Sequence, residues 1–314
     1  MSFERFMELA LYHPEVGYYR RNHTRVGYGP GTDFFTASTS GPVFGELIVA
    51  ATVRLLADHG ATPDGFTFVE IGAEPGKGVL AGVEHPFRDV SMLHAGDSLR
   101  LQGPCVVFSN ELFDAQPFAR HVRTDQGWSE LAVEWDGAQF REVQLPPTGN
   151  PPPDLPPEVP AGYVFDAPRS AAALAGQIAQ EPWHGLFLAF DYGKSFEELA
   201  TAQPNGTARA YYRHQQSNDL LARPGEQDLT CHVCWDWITQ ALEAAGFRVA
   251  PAQSQEAFLI THAKALLATH VEADAGRLTR RKLSLMQLLH PAHLGQKFQV
   301  LTAWRRPEDS PCTG

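Results

Sequence analysis

Three short apolar runs, each ending on glycine or on polar and acidic residues, constrain this chain more than anything else in it. Residues 66–71 (FTFVEI) lead straight into Gly72-Ala73-Glu74-Pro75-Gly76-Lys77-Gly78, residues 105–109 (CVVFS) into Asn110-Glu111-Leu112-Phe113-Asp114, and residues 186–190 (LFLAF) into Asp191-Tyr192-Gly193. Runs this rich in aliphatic and aromatic side chains read as strands buried on both faces, the mark of a mostly parallel sheet with helices packed on each side. In such a sheet the carboxyl ends of the strands share one edge, and that edge is where ligands sit. The polar groups that follow the runs are therefore the first candidates for a functional site.

Helical and hairpin patterns surround these strands. Phe3, Phe6, Met7, Ala10 and Leu11 recur at helical spacing behind a capping Ser2, and Phe44, Leu47, Ile48, Ala51, Leu55 and Leu56 do so ahead of Gly60. Further helices are expected over 167–178 and 235–245, with short strands at 247–249 and 298–304. Residues 118–145 alternate around Asp125-Gln126-Gly127 and Asp136-Gly137 as antiparallel hairpins do, and 146–160 is so rich in proline that it reads as a stiff surface connector. The expected organisation is α/β, with N-terminal helices and a lid-like loop over 1–60, a core over 61–314, and an insertion at 118–165, all as one integrated unit.

Charge and cysteines narrow the function. Lys and Arg number 25 against 36 Asp and Glu, a net charge of −11, which argues against a nonspecific grip on nucleic acid or an anionic membrane. No apolar run is long enough to span a bilayer, the first ten residues lack the basic character of a targeting peptide, and four cysteines make no disulfide framework, so a cytoplasmic location is expected. Cys231-His232-Val233-Cys234 lacks a second ligand pair at zinc spacing, and no metal is expected.

On the residues alone, the Gly72–Gly78 segment is either a ligand-cradling turn that opens a helix or an ordinary Gly/Pro turn. Asn110 and Asp114 are either site residues at a strand end or caps of a following helix.

Beyond these local readings, an ordered series of strings resembles the MidA family of S-adenosylmethionine-dependent methyltransferases. They are His13-Pro14-Glu15-Val16-Gly17-Tyr18-Tyr19, Gly31-Thr32-Asp33-Phe34-Phe35-Thr36, Glu70-Ile71-Gly72, Asn110 through Pro117, Asp191-Tyr192-Gly193, Pro224 through Val233, and Gly295-Gln296-Lys297-Phe298. The resemblance implies a Rossmann-like class I methyltransferase core that binds S-adenosyl-L-methionine. It implies Glu70, Gly72 and Gly76 at the methionine and ribose end of the cofactor, Asp97 and Ser98 on the adenine side, and Asp33 and Thr36 as further cofactor ligands. Asn110, Glu111 and Asp114 would face the transferable methyl group or the incoming nucleophile. A protein substrate is implied, with arginine favoured because the family includes a mitochondrial protein arginine methyltransferase, and carboxylates suit a cationic acceptor.

Three departures support a second reading, a degenerate member acting as a scaffold. Glu74 stands where the family has its second glycine, Ala37-Ser38-Thr39 replaces Ser-Pro-Glu, and 79–95 is short for the expected helix and second strand. Within that segment Glu84 is the candidate acid for the ribose.

Overall fold

Burial on both faces is what organises the centre of the molecule. In the computed structural model, which describes all residues except 22–24, 26, 28–31, 34–40, 75, 77, 148–150 and 312–314, seven strands form one sheet. They are β1 (Thr67–Ile71), β2 (Asp89–Leu93), β3 (Gly103–Asn110), β4 (Trp183–Asp191), β5 (Arg248–Val249), β6 (Gln253–Ser254) and β7 (Gln299–Arg305). The order across the sheet is β5-β7-β4-β3-β1-β2, and β6 also pairs with β7. β2, β1, β3 and β4 are mutually parallel, and β7 runs antiparallel to β4 and to the two short strands beside it. The result is a mixed α/β fold around a mostly parallel sheet.

The chain divides into two compact units. The first, residues 35–112, 176–192 and 241–314, holds this sheet. Phe68, Phe108, Leu188, Phe190 and Val300 alternate along their strands toward one face, where Phe44, Leu47 and Ile48 of helix Pro42–Asp58, Phe258 of Gln255–His262, Leu267 of Lys264–Ala273, and Leu285 and Leu288 of Arg280–Leu289 close over them. The intervening residues Val69, Val107, Phe187 and Ala189 are buried as well, so both faces are covered. The last three of these helices lay outside the sequence expectation.

The segment after β1 departs from expectation in an instructive way. The second strand is present, as β2, but residues 79–82 make turns and no helix forms between β1 and β2 among the described residues. Gly76, Gly78, Gly82 and Pro86 interrupt the stretch so often that no three-turn helix survives there. Val79 and Leu80 enter the core instead. Glu84 is exposed in the loop before β2, at the wrong end of the strand for the edge it was expected to serve.

The second unit comprises residues 1–34, 113–175 and 193–240. Helix Phe3–Tyr12, capped by the Ser2 hydroxyl accepting from the Arg5 amide, buries Phe3, Phe6, Met7 and Leu11 with Phe118 and Val133. The hairpins take the form of a four-stranded antiparallel sheet, Ala119–Thr124, Gly127–Trp135, Phe140–Gln144 and Val164–Ala167. The proline-rich connector is more than a surface tether. Its Leu155 is buried beside Tyr163 and Phe165, and Trp128 donates its indole N–H to the Pro156 carbonyl. A second small sheet, Gln215–Ser217, Arg209–Tyr212 and Asp228–Thr230, was unforeseen because its strands are too short to show periodicity.

Within the first unit one cation ties segments distant in sequence. Arg305, at the end of β7, is fully buried and donates to the carbonyls of Ala179, Glu181, Trp183 and Ala245 while its guanidinium lies over the Trp183 and Phe247 rings. Burial pushes its pKa down to about 10, so it remains a cation at neutral pH. Three of these carbonyls, those of Ala179, Glu181 and Ala245, lie at the ends of helices Arg169–Gln180 and Trp235–Ala244, where backbone acceptors have no helical partner, and the fourth opens β4. Arg305→Met removes these donors and leaves buried carbonyls unsatisfied, with an expected loss on the order of 3 kcal/mol in urea unfolding. Arg305→Lys, which cannot fork, recovers part of it.

Candidate functional site

The strand order places the switch point of the sheet between β1 and β3. The chain leaves β1 toward β2 on one side, and β3 lies on the other, so the loops at these two carboxyl ends diverge and leave a crevice. Ile71 is in register with Ser109, which sets Gly72 beside Asn110 at the mouth of that crevice.

Gly72 has φ +83°, a left-handed conformation that suits glycine, and donates its N–H to the Leu93 carbonyl at 2.8 Å. A Cβ there would lie 2.9 Å from Cδ1 of Leu112, so the glycine lets the chain after β3 close down on the chain after β1. Gly78 is tighter still, since its Cβ would meet Sδ of Met92 at 2.5 Å and Oε2 of Glu70 at 3.1 Å.

Glu70 is buried, and its Oε2 accepts the Val79 N–H at 2.6 Å, which folds the glycine loop back over the end of β1. Burial raises its pKa from the ordinary 4.5 to about 7, against the opposing effects of that hydrogen bond and of His94. His94 bridges its Nδ1 to the Ala73 carbonyl at 2.7 Å, and its backbone N–H reaches Oδ2 of Asp97 at 2.8 Å. Asp97 and Ser98 are exposed just beyond β2, and Asp97 thereby shapes the turn that presents His94.

The end of β3 is strained. Glu111 has φ +55°, a conformation costly for a side chain of its type, and donates its N–H to the Phe190 carbonyl at 2.9 Å. What holds it there is Asp191, fully buried at the end of β4, whose Oδ2 accepts the Leu112 N–H at 3.2 Å and whose Oδ1 accepts the Tyr192 N–H at 2.8 Å. Asn110 donates Nδ2 to Oε1 of Glu111 at 3.0 Å, while its own Oδ1 is buried with no hydrogen-bond partner among the described residues. No helix follows for Asn110 or Asp114 to cap, because Pro117 and the strand from Ala119 come too soon.

The structure thus brings Glu70, Gly72, Asn110 and Glu111 to one edge of the first unit, with Asp97 and Ser98 beyond the neighbouring strand. Gly76, at φ +70°, is exposed in the loop between them. Asp33 and Asp114 belong to the second unit. Asp33 is buried and fully engaged there: Oδ2 accepts the Tyr18 hydroxyl, Oδ1 the Arg213 N–H, and its carbonyl the His214 N–H. It pins the hairpin tip where Arg213 and His214 both have left-handed φ, 48° and 63°. Thr36 and Ala37-Ser38-Thr39 lie outside the described residues, as do Phe34, Phe35, Pro75 and Lys77.

Asp114 is buried with a group that the motifs alone did not single out. Its carboxylate and that of Asp228 face the stacked phenols of Tyr12 and Tyr19, and burial together with these charges holds both hydroxyls well above the usual tyrosine range. Tyr19 donates to Oδ1 of Asp228 at 2.9 Å. The sequence signal for Asp228 was its place in the Pro224–Val233 string, to which no role was attached. Among the described residues no group of His, Cys, Asp and Glu could hold a metal ion, and no helix is long and apolar enough to cross a membrane.

The family model described as "Putative S-adenosyl-L-methionine-dependent methyltransferase" matches residues 79–253. A Drosophila melanogaster relative named protein arginine methyltransferase NDUFAF7 homolog, mitochondrial, is 27% identical over 77% of this chain, which spans 66% of that protein, just under two thirds of its length. A Burkholderia thailandensis protein whose crystal structure holds S-adenosyl-homocysteine superimposes with a TM-score of 0.85 at 25% identity, over 97% of this chain and 88% of that one. A native crystal structure of a Burkholderia thailandensis protein, at 22% identity and a TM-score of 0.79 over 100% and 90% of the two chains, shares the fold.

Two measurements check the strain and the burial at this edge. Because the folded state binds the Glu70 proton more tightly than the unfolded chain, the contribution of Glu70 is full below pH 4.5 and is lost as pH rises to about 7. Glu70→Gln keeps an acceptor for Val79 and removes this loss, so its stability in urea should fall less than that of the wild type between about pH 5 and about pH 8, by on the order of 3 kcal/mol. Glu111→Gly should raise stability by about 1 kcal/mol, since glycine takes the left-handed conformation without strain. An unchanged or lower stability would show that residue 111 carries no strain.

Proposed function

The chain belongs to the S-adenosyl-L-methionine-dependent methyltransferase family whose model spans residues 79–253, and from that premise we propose that it methylates a protein side chain, with arginine as the acceptor. The observation that carries the reading is the switch-point edge itself, where Gly72 lets the two strand ends approach closely and Glu70, Asn110 and Glu111 bring oxygen acceptors to that edge. The β2-β1-β3-β4 order with an antiparallel strand next to β4 supports a Rossmann-like class I arrangement. The arginine preference draws its support from the name of the Drosophila relative.

The donor brings an electrophilic methyl group on a positively charged sulfonium, together with an amino acid end. The residues at the edge fit such a molecule. Asn110 Oδ1, buried and without a hydrogen-bond partner among the described residues, would accept from its ammonium group. Glu70, at the floor of the glycine loop, gains electrostatically from a nearby cation, which favours its ionised form. Glu111, held out of the strand line by Asp191, would receive a guanidinium through charge-assisted hydrogen bonds and accept the proton the acceptor nitrogen must lose. The rest of the protein's work is alignment of the two reactants, and the strain stored at Glu111 is consistent with a group held in place for that purpose.

The absence of a helix after the glycine loop is the observation behind a second reading, that of a scaffold without cofactor binding, because the amide-rich helix N-terminus that would greet a carboxylate is not built. Calorimetric titration separates the two. Binding of S-adenosyl-L-methionine and S-adenosyl-homocysteine in the micromolar range, about −8 kcal/mol, is expected, with Gly72→Val at least tenfold weaker. Incubation with arginine-containing peptides and their lysine counterparts should then add one methyl group to the former, read by mass spectrometry. No binding at millimolar ligand would overturn the enzyme reading, and methylation of the lysine peptides alone would overturn the acceptor.

A further inference from the structure

Residues 277–297 hold Arg277, Arg280, Arg281, Lys282 and Lys297 and no acidic residue, in a chain whose net charge is −11. Three of these cations occupy the first turn of helix Arg280–Leu289, where the helix dipole is positive and cations are disfavoured. Arg281 is answered by a bidentate pair with Asp274, at 2.8 and 2.9 Å. Arg280 and Lys282 are exposed and have no carboxylate partner among the described residues. A local rule broken without compensation inside the fold points to something outside it.

The same turn exposes apolar surface. Leu278, just before the Thr279 cap, is 77% exposed, Leu283 51% and Met286 52%. Leu278 and Leu283 stand at the two positions of a hydrophobic staple, and Leu283 and Met286 are three residues apart, so the three form one ridge at the start of the helix. Leu285 and Leu288 of this helix are already buried in the core. The exposed ridge is therefore an additional face, and five of the eleven large exposed hydrophobic residues among those described lie between 260 and 286.

We propose that this face docks an acidic amphipathic helix of a partner protein, whose apolar residues pack on Leu278, Leu283 and Met286 while its carboxylates pair with Arg280 and Lys282. Charge complementarity selects this occupant. A second copy of the chain on a two-fold axis would set the same cations against one another. An anionic bilayer would be repelled by the rest of a molecule this acidic. The surface lies beyond residue 253, where the methyltransferase family match ends, and the inference does not rest on the reading of the sheet edge.

A synthetic helical peptide of alternating Leu and Glu faces, its Lys-for-Glu counterpart, and phosphatidylserine-containing vesicles serve as probes for the full chain. The acidic peptide should bind with an affinity that falls as salt rises, and at least tenfold more weakly to Arg280→Glu/Lys282→Glu and to Leu283→Ser/Met286→Ser. The charge variant should also melt no lower than the wild type, because glutamates suit the first turn, and both variants should bind S-adenosyl-homocysteine as the wild type does. A lower melting point for the charge variant would make the cations structural and overturn the proposal. So would equal binding of the acidic peptide by all three proteins, its failure to bind, or binding of the vesicles alone.

Discussion

The carboxylate of Asp191 is the point on which the candidate site turns. It sits at the end of a central strand with no exposure to solvent, and its two oxygens accept backbone N–H groups from Leu112 and Tyr192, one from each of two neighbouring strand ends. A buried carboxyl group is tolerated when hydrogen bonds answer it, and here the answering groups are the backbone at the carboxyl ends of two strands. Through Leu112 it seats a side chain against Gly72, and through the adjoining residue it holds Glu111 in a left-handed conformation. A single interior group thus fixes the geometry on both sides of the switch point.

The glycine loop after β1 solves its problem without the usual helix. Glu70 turns back to accept the Val79 N–H, Gly72 reaches across to Leu93, and His94 reaches back to Ala73, so three short hydrogen bonds of 2.6 to 2.8 Å organise the loop among β1, β2 and the residues beyond them. This arrangement has a cost, since it buries a carboxyl group that would rather be protonated. It also leaves β2 as an edge strand with Val90 and Met92 about 40% exposed, where a longer segment would have placed more covering structure.

In the second unit the two buried aspartates with sequence signatures play different parts. Asp33 is spent on structure, gathering Tyr18 and the strained tip of a hairpin nearly 180 residues away in the chain. Asp114 joins Asp228 beside two stacked tyrosines, a grouping in which buried negative charge and aromatic faces lie together. The resemblance assigned Asp33 to the cofactor and Asp114 to the methyl group or nucleophile, and in the fold their partners set them apart in another way.

The sequence by itself determined the three central strands, the edge they share, the helices 3–12 and 42–58, and the antiparallel insertion, because apolar runs and their periodicity record burial locally. The helix expected after Gly78 did not form, although the glycines and proline that interrupt that segment were in plain view. What the tertiary structure alone decided is which polar groups meet. Asp191 finds Leu112, Arg305 finds carbonyls more than a hundred residues away, and Asp228 finds Tyr19 across 209 positions, and none of these pairings leaves a mark within a short window of sequence. The reason is physical. Hydrophobic burial is nondirectional and can be read from composition along a strand or helix, whereas a hydrogen bond needs two groups within about 3 Å and in line, a condition that exists once the chain has folded.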